Sequence, residues 1–200
     1  VRHRRDPLGR RDGGGGGADR PNIVLIVMDT TRADHLSCYG YNRPTTPNLD
    51  RLAQEGVLFE QASSTAPWTL PSHASLFTGL YVSEHGTDRS TPRLSESLVT
   101  LAERLKGEGY QTVGFSNNPW VSPQTNFHQG FDLFEGMWKG SSPLQRLALV
   151  GIGARVWDLW QKKFRHSSDA AATNSRIQWW LDRIRRPAGP FFLFVNYIDA

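Results

Sequence analysis

Between Asn22 and Asp29 the chain passes through an unbroken apolar run, Ile23-Val-Leu-Ile-Val-Met28. A β-branched run without polar alternation does not suit a sheet with one face in water. It suits a central strand of a parallel sheet, covered by helices on both faces. The run stops at a carboxylate, Asp29. Open α/β sheets hold their ligands outside the C-terminal ends of the strands, so this acid is placed where chemistry is expected. A second apolar run, Phe191-Phe-Leu-Phe-Val-Asn-Tyr197, ends in the same way near Asp199. A third strand is predicted from Gln111 to Ser116.

Helical signals lie between these runs. Thr46 as N-cap, Pro47 as first helical residue and Gly56 as terminator predict a short helix, with Leu49, Leu52 and Ala53 as its buried stripe. Val57 to Ala62 reads as a strand. Thr69-Leu-Pro-Ser-His-Ala-Ser-Leu-Phe-Thr-Gly79 reads as a loop turning into a helix, with Pro71 near its start and Gly79 past its end. Ser95 is expected to cap a helix carrying Leu98, Leu101, Ala102 and Leu105 at helical spacing, closed by Gly107 or Gly109. Strands alternating with helices give the fold class: α/β, a mostly parallel central sheet with helices on both faces.

Two stretches stand apart. Residues 1–19 hold Arg2, Arg4, Arg5, Arg10 and Arg11 and the glycine run Gly13 to Gly17, and read as a flexible basic tail. A solvated tail outweighs a nucleic-acid arm, so no nucleic-acid partner is expected. From about residue 138 to 186 the chain carries Trp138, Trp157, Trp160, Trp179 and Trp180, five of its seven tryptophans. Two helices are predicted there, about 144–164 and 169–184. A basic, Trp-bearing amphipathic helix can lie on a membrane surface. Packing of the aromatics against the domain is the commoner outcome. With charged residues at 21% and hydrophobic ones at 38%, the composition excludes a disordered chain. Cys38 is the only cysteine, which excludes an internal disulfide framework. No apolar run approaches the roughly 20 residues of a spanning helix. Ala200 follows directly on an apolar strand, and residues 20–200 are read as the N-terminal portion of a larger catalytic domain.

Asp29, at the strand end, is either a capping and loop-bonding group or a metal ligand. Thr69 divides in the same way. Its oxygen either satisfies free N–H groups at a helix start or attacks a substrate. A hydroxyl is a poor nucleophile at neutral pH unless a base or a metal lowers its pKa. A divalent cation held by Asp29 would do that, and the helix N-terminus would add donors aimed at a tetrahedral anion. His73, one turn into the helix, is a candidate hydrogen-bond donor to the ester or leaving group, and equally a structural residue.

These segments resemble the sulfatase family of the alkaline-phosphatase-like superfamily. Arg20-Pro-Asn-Ile-Val-Leu-Ile-Val-Met-Asp-Thr-Thr-Arg-Ala-Asp-His-Leu-Ser-Cys-Tyr-Gly40 is similar to the opening of sulfatase-like enzymes. Thr45-Thr-Pro-Asn-Leu-Asp-Arg-Leu-Ala, the Thr69–Gly79 segment, Glu84-His-Gly86 and Gly109-Tyr-Gln-Thr112 follow in the family's order. The tryptophan-rich stretch then reads as an insert. The resemblance implies that Asp29 is the first metal-binding aspartate and Thr69 the nucleophile and a metal ligand. It implies one or two divalent ions: calcium in sulfatases, and zinc, manganese or magnesium in the phosphate-handling relatives. The remaining metal ligands would lie past Ala200.

Departures from the family pattern narrow the chemistry. Formylglycine sulfatases carry Cys or Ser in a Cys-x-Pro-Ser-Arg signature, whereas this chain has Thr69-Leu-Pro-Ser-His73. Oxidising a threonine gives a ketone and not the aldehyde of formylglycine. The second family aspartate is Thr30, and the family's Lys-Trp-His anion-binding run falls at Asn117-Asn118-Pro119, where Asn117 is the candidate substrate donor. A Thr nucleophile resembles the phosphoethanolamine transferases, lipoteichoic acid synthases and nucleotide phosphodiesterases of the superfamily. The expected activity is metal-dependent hydrolysis of sulfate or phosphate esters on a small molecule, glycan or lipid headgroup. Phosphoryl transfer, or a catalytically silent binding domain, is the alternative.

Overall fold

The computed structural model describes residues 20–137, 170–186 and 189–198. The predicted basic tail, the first tryptophan-rich helix and Asp199 lie outside the described residues. Four strands form one sheet: β1 (Ile23–Met28), β2 (Gln111–Ser116), β3 (Leu133–Gly136) and β4 (Phe191–Tyr197), in the order β1-β4-β2-β3. Every neighbouring pair is parallel. The last strand in the chain therefore inserts between two earlier ones, and all four C-terminal ends meet along one rim. β4 takes hydrogen bonds on both sides and is buried from Phe191 to Asn196, as its apolar run demands.

The expected burial of β1 on both faces is not what the structure shows. Among the described residues β1 is an edge strand, with Val24 51% and Ile26 57% exposed. Ile23, Leu25 and Val27 point the other way, into the core.

Two apolar clusters fix the layers. On one face, α2 (Thr69–Thr78) and α4 (Leu101–Gly107) bury Leu70, Ala74, Phe77 and Ala102 against Phe192 and Phe194 of β4. The rings of Phe77 and Phe194 meet edge to face at 4.9 Å, an arrangement that aromatic quadrupoles favour. On the other face, α5 (Ala170–Arg183) lays Trp180 on Val113, Phe115 and Val195. Trp180 is wholly buried, so packing decides its place. Its neighbour Trp179 remains partly exposed under the Arg176 guanidinium, which sits 3.9 Å above the ring and pairs with Glu135.

The remaining elements follow their end signals with two exceptions. α1 (Pro47–Glu55) starts and stops as predicted, but Leu52 of its expected stripe is 64% exposed. Val57 to Ala62 forms no strand, because its backbone finds no pairing partner among the described residues. α4 is capped by Thr100 and not by Ser95. Thr100 accepts from the Glu103 N–H while Glu103 reaches back to the Thr100 N–H, a reciprocal capping box. α3 (Val82–His85) is a single turn between α2 and the loop leading to α4. Gly79 ends α2 at φ +73°, a left-handed conformation that suits glycine.

Candidate active site

The end of β1, the start of α2 and the loop after β2 converge on the sheet's C-terminal rim. Asp29 leaves β1 with its N–H bonded to the Tyr197 carbonyl, so the register that pairs β1 with β4 also fixes the acid. Its carboxylate is 8% exposed. The chain then turns through Thr30 at φ +63°, a left-handed conformation that costs a β-branched residue energy.

Thr69 opens α2, but its hydroxyl does not cap the helix. The N-cap is Trp68, and no side chain bonds the free N–H groups of the first turn. Thr69 Oγ1 instead donates to Asp29 Oδ2 at 3.1 Å. The partial positive charge of the helix start faces the rim beside this pair, although Leu70 is wholly buried, Pro71 has no N–H and the Ser72 N–H reaches the Trp68 carbonyl.

Asn118 completes a triangle. Its Nδ2 donates to Asp29 Oδ2 at 2.7 Å and lies 3.3 Å from Thr69 Oγ1. The amide is held in turn, since Asn118 Oδ1 accepts from the Trp120 N–H at 2.9 Å and the Asn118 N–H donates to Ser116 Oγ at 3.1 Å. Rigid support of this kind is what a chemical site requires, because small misplacements of reacting groups are costly.

Two residues singled out in the sequence sit elsewhere. Asn117 continues the alternation of Val113 and Phe115 and so faces α5, where its Oδ1 accepts from Thr173 Oγ1 at 2.8 Å. Its Nδ2 is buried with no hydrogen-bond partner among the described residues. The structure therefore gives the site Asn118 in place of Asn117. The period-two alternation of β2 puts Asn117 and Asn118 on opposite faces, and the packing of α2 and α5 decides which face belongs to the site.

His73 is 3% exposed and turned into the protein. Its Nδ1 lies 2.8 Å from the Thr69 carbonyl, which can only accept, so this nitrogen carries the proton. Nε2 then accepts from Asn196 Nδ2 at 2.9 Å. Burial pushes the imidazole's pKa down, against the opposing pull of the Asp29 charge and the Thr69 carbonyl. With both nitrogens engaged, His73 braces the first turn of α2 against β4 and has no donor left for a leaving group.

A divalent ion fits this site in part. Asp29 offers carboxylate oxygens and Thr69 a hydroxyl oxygen, the hard donors such ions take. Asn118 presents N–H and not oxygen, so it faces substrate or nucleophile and not metal. Among the described residues no group of three or more His, Cys, Asp or Glu side chains gathers around a metal position.

Comparison with known proteins agrees with this architecture. The family model described as Sulfatase matches residues 21–199. Human N-acetylgalactosamine-6-sulfatase is 32% identical over 213 residues, covering 91% of this chain and 40% of that protein. The phosphonate monoester hydrolase of Agrobacterium radiobacter superposes with a TM-score of 0.64 at 24% identity, covering 90% of this chain and 41% of its own. A structure solved with its substrate D-glucosamine-2-N,6-O-disulfate superposes with a TM-score of 0.66 at 20% identity, covering 89% of this chain and 34% of its own. At those identities the two structures speak for the fold. The chain spans from 17% to 43% of the length of the curated relatives it matches.

Proposed function

The chain belongs to the sulfatase family, and from that premise we propose that it carries the nucleophile half of an ester-hydrolysing site with Thr69 as the attacking residue. The observation that carries this reading is the direction of the Thr69 hydroxyl. It donates to Asp29, whereas a capping threonine would accept from a backbone N–H of its own helix. Residues 20–200 are then the N-terminal portion of the catalytic domain, with an insert at about 138–186.

Each residue has a defined task. The Thr69 proton rests on Asp29 Oδ2, so one lone pair of Oγ1 faces the Asn118 amide and the other is open to substrate. In-line attack on sulfur or phosphorus forms an ester on Thr69 Oγ1 and expels the alcohol. Water then releases the acid; an acceptor alcohol in its place would make the enzyme a transferase. The partial positive charge at the α2 N-terminus would stabilise charge on the non-bridging oxygens, while the Asn118 amide, with both hydrogens engaged, holds Asp29 and the Thr69 oxygen in place. Asp29 and Thr69 would hold a divalent ion, which would lower the hydroxyl pKa and neutralise developing charge. Calcium suits a sulfatase of the family, and zinc, manganese or magnesium a phosphate-handling member. A threonine cannot become formylglycine, and this favours phosphorus over sulfur. The substrate class is a sulfate or phosphate ester of a small molecule, glycan or lipid headgroup.

The test uses the full-length protein, stripped of metal and resupplied with calcium, magnesium, manganese or zinc. Hydrolysis of aryl sulfate, phosphate monoester and phosphate diester is compared between wild type and Thr69→Ala. Metal-dependent turnover should fall by about 10³-fold or more in the variant, with its melting temperature little changed. Turnover that persists in Thr69→Ala would overturn the assignment.

A further inference from the structure

His85, in the Glu84-His-Gly86 motif, has no place in the chemistry described above, yet it is 6% exposed and fully committed. Its Nδ1 accepts from the Thr87 N–H at 3.0 Å, so in the neutral ring Nε2 carries the hydrogen. That Nε2 lies 3.0 Å from Ser75 Oγ, and the Pro71 carbonyl is near enough to pull on its proton. Burial lowers the imidazole's pKa and keeps it in this neutral form, against the opposing influence of the Pro71 carbonyl and the Glu84 charge. Both targets lie on α2, the helix that starts at Thr69.

The first turn of that helix is weakly held by its own backbone. Pro71 has no N–H to donate, and the Ser72 N–H reaches the Trp68 carbonyl only at 3.4 Å. Side chains take over. Ser72 Oγ and His73 Nδ1 both donate to the Thr69 carbonyl, at 3.0 and 2.8 Å, and His85 holds Ser75, one turn further on, from outside the helix. His85 is itself anchored by the turn that follows it, where Gly86 at φ +64° brings Thr87 back onto the ring.

We propose that His85 is a positioning residue for the nucleophile, holding α2 through Ser75 so that the start of the helix, and with it Thr69 Oγ1, stays against Asp29 and Asn118. This rests on the reading of Thr69 as the attacking residue. A clamp of this kind acts on the reaction more than on substrate affinity, because it sets the place of the attacking oxygen and touches no substrate. Glutamine can present an N–H near the Nε2 position, whereas leucine fills the space without a donor.

The experiment compares His85→Leu and His85→Gln with wild type and Thr69→Ala in the full-length, metal-supplied enzyme. His85→Leu should lower kcat about 10- to 100-fold with KM within about threefold, the scale expected for a nucleophile displaced by a fraction of an ångström to one ångström. His85→Gln should recover most of that loss. Hydrogen exchange over residues 69–78 should quicken in His85→Leu and return towards wild type in His85→Gln, and this readout needs no substrate. Thr69-dependent turnover unaffected by His85→Leu, or unchanged exchange in that segment, would overturn the proposal. A loss in His85→Leu confined to KM, or shared equally by His85→Gln, would also overturn it. Turnover indifferent to Thr69→Ala would instead sink the reading of the nucleophile.

Discussion

The two faces of the sheet are laid on the same strands, yet they are finished differently. On the α5 face the apolar layer runs on to the rim, where Asn117 pairs with Thr173 and both are buried. On the α2 face the apolar layer stops short. Beyond Phe194 the next inward side chain of β4 is Asn196, which meets His73, and past it lies the triangle of Asp29, Thr69 and Asn118. Neighbouring asparagines at the end of β2 fall on opposite sides of this divide. Identical chemistry one residue apart thus serves packing in one case and joins the proposed site in the other, because a strand alternates its side chains.

Substitutions at matched depth on the two faces would sharpen or break that contrast. The largest effect on stability is expected at Trp180. Its replacement by alanine should cost about 3–5 kcal/mol in denaturant unfolding, since a fully buried ring leaves a cavity. The fraction that stays folded should keep its kcat; a folded but inactive Trp180→Ala would mean that the α5 face also shapes the site. Next comes the asparagine pair. Asn118→Ala should reduce kcat about 10²-fold, because the amide holds Asp29 and the Thr69 oxygen in their places. Asn117→Ala should leave kcat within about threefold and cost about 1 kcal/mol of stability through the lost Thr173 bond. Equal kinetic losses in the two variants would erase the distinction between the faces. The smallest effect is expected at Thr30. Thr30→Gly should raise stability by up to about 1 kcal/mol by relieving the left-handed strain at φ +63°. No gain in melting temperature would show that a hydrogen bond or contact of the threonine outweighs the strain.

Much of this layout was legible in the sequence. The apolar runs at Ile23–Met28 and Phe191–Tyr197 became parallel strands, and Pro47, Gly56 and Gly79 marked helix ends, because these residues restrict the backbone locally. Ser95 and Thr100 were harder to separate. Both are good caps, and the choice fell to Thr100, whose glutamate three residues on could return the bond. β1 was read as covered on both faces because its composition records how apolar a strand is, but not which neighbours cover it.

The site divides along the same line. The sequence by itself determined that a carboxylate ends an apolar strand at Asp29, that a hydroxyl opens a helix at Thr69, and that an Asn-Asn pair follows β2. Those are properties of residue type and local spacing. Only the tertiary structure decided that the Thr69 hydroxyl donates to Asp29 and leaves its helix uncapped, that Asn118 and not Asn117 joins them, and that His73 turns inward to Asn196. Each of those outcomes depends on which way a side chain points across elements 40 to 123 residues apart in sequence. Strand register and helix packing set that direction, and no local pattern records either.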